Sequence, residues 1–170
     1  MPIDPTTVPP SRADERSESR GYNFAHTLTL LSLSVLVLAA PAWAERPVVE
    51  MYQDPNCGCC GAWADHLEAE GFTVERHKTR EMRDIKIEQG LTPELASCHT
   101  AMVDGYVIEG HVPAADIHRL LEERPDVAGL AVPGMPHGSP GMETGRYDDY
   151  RVLGWHRDDR TPEIFSEYTH

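Results

Sequence analysis

The chain has 170 residues, 40% of them hydrophobic, and a formal net charge of −13 from 15 Lys/Arg against 28 Asp/Glu. That balance opposes nucleic acid or an anionic membrane as a partner, since cationic surfaces hold both. The length allows one domain with a core of its own plus flanking segments, so the four cysteines are not required as staples.

Residues 1–44 do not read as globular. Leu28 to Ala40 is an apolar stretch interrupted only by Thr29, Ser32 and Ser34, followed by Pro41 and then Ala42-Trp43-Ala44. At ~1.5 Å per residue it falls short of a hydrocarbon core of ~30 Å. It reads as the apolar region of a secretory signal cleaved after Ala44, behind a charged leader over residues 1–24. The remaining 126 residues carry a formal charge of −12, and export would place them in an oxidising compartment, the periplasm, where disulfides persist. The expected organisation is a leader and signal peptide over 1–44, a core domain over 45–128, and a loop with C-terminal strands over 129–170 packed on the same domain. No stable membrane insertion is expected after cleavage.

Pro47 to Gln53 reads as a strand running into Asp54-Pro55-Asn56-Cys57-Gly58-Cys59-Cys60-Gly61. A helix follows to about Glu70, with Trp63 and Leu67 one turn apart on the stripe that Cys60 shares, and Gly71 as its stop. Phe72 to His77 alternates as a strand. Glu81 to Gln89 predicts a helix with Met82 and Ile85 inward and Gly90 after it. Thr92-Pro93 opens a further short helix to about Ser97. Cys98 and His99 occupy the junction beyond it.

Thr100 to Val103 and Tyr106 to Glu109 form a predicted hairpin around Asp104-Gly105. Pro113 opens a helix with Ile117, Leu120 and Leu121 on one face, ending before Pro125. The tail is different in kind. Val132 to Met142 holds three prolines and three glycines and excludes helix or central strand. Tyr150 to Trp155 then predicts a strand, and Glu163 to Tyr168 an edge strand. The order strand, helix, strand, helix, strand, strand, helix predicts an α/β domain with a mixed sheet. With C-x-x-C between its first strand and first helix, it resembles the thioredoxin fold. In that fold the loop entering the hairpin faces the motif and carries a cis-proline; here it carries Cys98-His99. The resemblance implies that the lone cysteine lies beside the cluster of three. The missing proline argues against docking of an extended peptide for disulfide exchange.

Thiols at a helix N-terminus meet unpaired N–H groups and the positive end of the macrodipole, which favour thiolate over thiol. Three chemistries compete for them. A dithiol oxidoreductase would use Cys57 to attack and Cys60 to resolve, but leaves Cys59 without a task. A structural zinc site expects two separated ligand pairs. Soft-metal binding employs Cys57, Cys59, Cys60 and Cys98 together: thiolate and thioether ligands select Cu(I), and cations between closely packed thiolates relieve their repulsion. His99, Met135, His137 and Met142 are candidate outer ligands or an entry path. His66 and His118 fall on helix faces expected to be solvated, and His77, His111 and His156 have no partner visible in the sequence.

YQDPNCGCCGAWADHLEAEGF, Ser97-Cys98-His99-Thr100 ahead of VDGYVIEGHVP, and LAVPGMPHGSPGME closely resemble the CopG-type exported copper-resistance proteins, over roughly residues 47 to 168. The resemblance implies a thioredoxin-like fold and a cysteine-bridged multinuclear copper site on Cys57, Cys59, Cys60 and Cys98. It also implies a role in periplasmic copper tolerance, by interconverting Cu(I) and Cu(II) before export, with a periplasmic copper chaperone or efflux system as partner. As a copper oxidoreductase the protein would be an enzyme; as a store it would be a binding module.

Overall fold

A computed structural model describes residues 46–170; the expected leader, apolar stretch and cleavage site lie outside them. The elements are β1 (Val48–Gln53), α1 (Gly58–Ala69), β2 (Thr73–Lys78), α2 (Met82–Glu88), β3 (His99–Val103), β4 (Tyr106–Glu109), α3 (Ala114–Glu123), β5 (Gly129–Ala131), β6 (Tyr150–Trp155) and β7 (Pro162–Tyr168). They build one seven-stranded mixed sheet in the order β2-β1-β3-β4-β5-β6-β7. β1 and β2 run parallel, as a crossover through α1 requires, and β3 lies antiparallel to both β1 and β4. The first four strands with α1, α2 and α3 are the thioredoxin-like unit. β5 adds parallel to β4, and β6 and β7 extend the sheet antiparallel to its edge.

Residues of α1 (Cys60, Trp63, Ala64, Leu67) and α3 (Ile117, Leu120) share a core with Val49, Met51, Ala101, Ile108, Leu130 and Val152 of the sheet. Their strand neighbours point to the other face, as the two-residue period demands, where Leu91 and Leu95 pack with Val107, Ala131 and Trp155. The sheet is thus apolar on both sides near its middle. Gly129 sits where a Cβ would meet the Val107 carbonyl, so β5 takes a residue without one.

Local chemistry sets the boundaries. Asp104 and Gly105 both take positive φ, +47° and +84°, as a two-residue hairpin turn with the twist of its strands requires. Gly71, at φ +97°, ends α1, with the Phe72 N–H returning to the Leu67 carbonyl. Arg124 closes α3 in the left-handed region ahead of Pro125.

Several expectations are corrected. The predicted helix from Thr92 to Ser97 is a single turn closed by Leu95 N–H to Thr92 O, because Ser97 leaves it to form a parallel bridge with Gly134. α2 buries no residue fully; Met82 and Ile85 are half-covered. β5, just ahead of the Pro/Gly-rich loop, is a strand where the sequence predicts no element. His66 is half-buried rather than solvated, whereas His118 is exposed as expected. His66 Nε2 accepts the free N–H of Ala114 at the start of α3, and His118 lies against Phe72 with Nε2 donating to the Glu70 carbonyl.

Candidate metal centre

The cysteine turn is built by Asp54. Its carboxylate accepts the Asn56 N–H and its carbonyl accepts the Cys57 N–H, which points the chain into α1 with Cys57 at the N-cap. Cys59 and Cys60 follow in the first turn, at the positive end of the helix. Cys60 is fully buried under the sheet, whereas Cys57 and Cys59 are half-exposed. Cys57 and Cys60 are joined as a disulfide across 5.6 Å between Cα atoms. Cys59 Sγ lies 3.7 Å from Cys57 Sγ.

Cys98 comes to this turn from the loop entering β3. The sulfurs of Cys57, Cys59, Cys60 and Cys98 all fall within 4.8 Å of one another. The loop is fixed from below by a buried network. Glu109, with no exposed surface, accepts the Ser97 N–H (2.5 Å), the Thr100 hydroxyl (2.7 Å) and the Lys86 ammonium. Burial, with the Cys59 sulfur beside it, pushes the Cys98 thiol up to about 12. In that setting a bound cation, rather than bulk pH, would keep the sulfur as thiolate.

Two histidines close on Cys98. His99 Nδ1 is 3.3 Å from its sulfur, and the ring is buried between Trp63 and the edge of His111. Its Nε2 has no hydrogen-bond partner among the described residues. Burial first, then His111 and Lys86, hold its pKa well below the usual imidazole range, so the ring is neutral. His111 Nε2 is 3.1 Å from Cys98 Sγ, and Nδ1 is 2.7 Å from the Pro140 carbonyl. A carbonyl only accepts, which assigns the proton to Nδ1 and leaves the Nε2 lone pair facing the sulfur. Burial lowers this pKa too.

The reading of residues alone missed His111, although a signal for it existed. The hairpin register pairs Thr100 with Glu109; continued outward by two residues it sets Cys98 opposite His111.

The Pro/Gly/Met loop lies over this group. A Cβ on Gly141 would stand 2.7 Å from the Trp63 amide nitrogen and 3.0 Å from the Cys59 carbonyl, so the loop backbone rests directly on the first turn of α1. Met135 Sδ lies 3.9 Å from Cys59 Sγ. His137 is occupied within the loop, with Nδ1 at the Thr144 hydroxyl (2.7 Å) and Nε2 accepting from Arg146. Met142 closes the turn through its backbone, accepting from Gly138 and donating to Ser139. Of the four candidate outer ligands, His99 and Met135 touch a cysteine sulfur, and the His137 ring is held within the loop.

The donor set suits a soft metal. Ligand atoms around one ion at sulfur distances near ~2.3 Å stand about 3.5–4 Å apart, the spacing found here among sulfurs and imidazole nitrogen once modest adjustment is allowed. The Cys57–Cys60 disulfide withholds two of the four thiolates until it is reduced.

The sequence model of a family described as "Protein of unknown function, DUF411" matches residues 95–142. That segment holds Cys98, both histidines and the loop. A solved structure titled copper resistance protein CopG, form 2, aligns with a TM-score of 0.70 and 48% identity, covering 74% of this chain and all of the other. Form 1 of the same title aligns with a TM-score of 0.70 and 47% identity over the same shares. The search of curated proteins returns no match.

Proposed function

The chain belongs to the family of copper resistance protein CopG, and from that membership we propose that it is an exported, periplasmic protein binding several copper ions through bridging cysteines. The observation carrying the reading is the convergence of Cys98 on the three cysteines at the start of α1, with the His111 lone pair and the Met135 thioether beside them. Cys57, Cys59, Cys60 and Cys98 are the proposed thiolates. His111 is the proposed imidazole ligand, oriented by Pro140, and Met135 the neutral ligand on the exposed side. His99 packs behind Cys98 as a neutral ring. Copper is cargo here, and the residues supply charge compensation and spacing.

The same sulfurs support interconversion of the two copper states. Two Cu(II) ions accept one electron each as two thiolates join in a disulfide, giving two Cu(I). Copper delivery to or from a periplasmic chaperone or efflux system would then place the protein within copper resistance.

The test is anaerobic titration of fully reduced protein with Cu(I) against a strong chromophoric chelator. More than one Cu(I) per chain is expected, and Cys59→Ser should cost as much capacity as Cys57→Ser. A capacity of one or none rejects the multinuclear reading. The second reading, a metal-free thiol-disulfide oxidoreductase, is favoured by the Cys57–Cys60 disulfide itself. It expects reduction of insulin disulfides without copper and indifference to Cys59→Ser.

A further inference from the structure

We infer that the oxidised chain, with Cys57 and Cys60 joined, retains a separate one-ion Cu(I) site made by Cys59, Cys98, His111 and Met135. This rests on the copper reading above and adds that the disulfide sets how much copper the protein holds. A disulfide sulfur carries no charge and is a poor ligand, so joining Cys57 to Cys60 removes two of the four thiolates. The other two cysteines remain free.

The four remaining donors come from four separate segments: the first turn of α1, the loop before β3, the loop after β4 and the tail loop. Short contacts link them in a row, from Met135 through Cys59 and Cys98 to His111. Cys98 Sγ is 3.1 Å from His111 Nε2, Cys59 Sγ is 3.9 Å from Met135 Sδ, and the two cysteine sulfurs lie within 4.8 Å of each other. Two thiolates, an imidazole and a thioether fill four positions around one soft ion and select Cu(I) over harder cations. They leave no unshared thiolate for a second ion. The imidazole already turns its lone pair to the Cys98 sulfur, because Pro140 O holds the proton on the far nitrogen. The donors stand at these distances with the Cys57–Cys60 bond closed.

Reduction restores the larger site. A dithiol reductant passes two electrons to the disulfide and closes its own disulfide. Cys57 and Cys60 each gain one electron and one proton, the proton then being displaced as metal binds.

The experiment compares three preparations of the mature chain. One is oxidised, with the Cys57–Cys60 linkage and free Cys59 and Cys98 verified by alkylation and peptide mapping. The second is reduced. The third is Cys57→Ser/Cys60→Ser, which removes the same two thiolates without a crosslink. Each is titrated with Cu(I) against the chelator, anaerobically and without added thiol. The oxidised chain and the double variant should each take one Cu(I). His111→Ala should weaken that ion at least tenfold, and Cys98→Ser should abolish it. Peptide mapping that finds a disulfide other than Cys57–Cys60, an oxidised chain that takes no Cu(I), or one that takes as many as the reduced chain overturns the inference. If the oxidised chain fails while the reduced chain still takes several ions, the copper reading of the family site stands. If the reduced chain binds none, that reading falls first.

Discussion

Gly141 shows how a residue with no side chain can set the geometry of a site. Its φ of +82° and its contact with the Trp63 amide leave no room for a methyl group. Gly141→Ala should cost roughly 1–3 kcal/mol through backbone strain and a displaced loop, read as a lowered melting temperature. It should also weaken the His111-dependent copper, because the neighbouring Pro140 carbonyl fixes that ring. At this scale the sequence was informative where chemistry is local. Cys57, Cys59 and Cys60 declare themselves by spacing, and Asp54 by its turn. His111 did not, because its partner is defined by strand register. His137 had the composition of a ligand, but a Pro/Gly-rich loop needs internal bonds of its own, and its ring serves those.

Among elements, the ion pair of half-buried Lys86 with fully buried Glu109 joins α2 to the central strands and holds the Cys98 loop through the Ser97 N–H. Removing one partner leaves the other charge in the interior. Lys86→Met should therefore cost about 3–5 kcal/mol, whereas Lys86→Met with Glu109→Gln should recover much of it. Urea denaturation of both single variants and the double variant checks this, and a double loss equal to the sum of the single ones would show the pair to be uncoupled. The order of elements was legible because periodicity, hairpin residues and helix stops agree with one another. The turn at Thr92 carried genuine helix-start signals, yet Ser97 is drawn off by Glu109 and Gly134, both distant in sequence. β5 is only three residues long, and its reason to be extended is the open side of β4, which no local pattern displays.

For the molecule as a whole, the added strands are fastened to the thioredoxin-like unit by Asp116 of α3, which accepts the Tyr168 hydroxyl (2.7 Å) and that of Ser166. Tyr150 stacks on Tyr168 at 4.8 Å. Burial raises Tyr150 to about 12; burial and then the Asp116 carboxylate raise Tyr168 as well. Unfolded tyrosines ionise near ~10, so the unfolded chain gains from ionisation first. Stability due to this cluster is complete below that pH and is lost as pH rises toward 12. Denaturation midpoints measured across this range should fall, and Tyr168→Phe should flatten the fall while lowering stability at neutral pH. A midpoint independent of pH would contradict the assignment. The bridge between Ser97 and Gly134 has a different consequence. It couples the neighbours of Cys98 and Met135, so the tail ribbon cannot swing aside by itself. Any docking protein that peels it back must also tug on the solitary thiol, and so would disturb the proposed copper site at the same stroke.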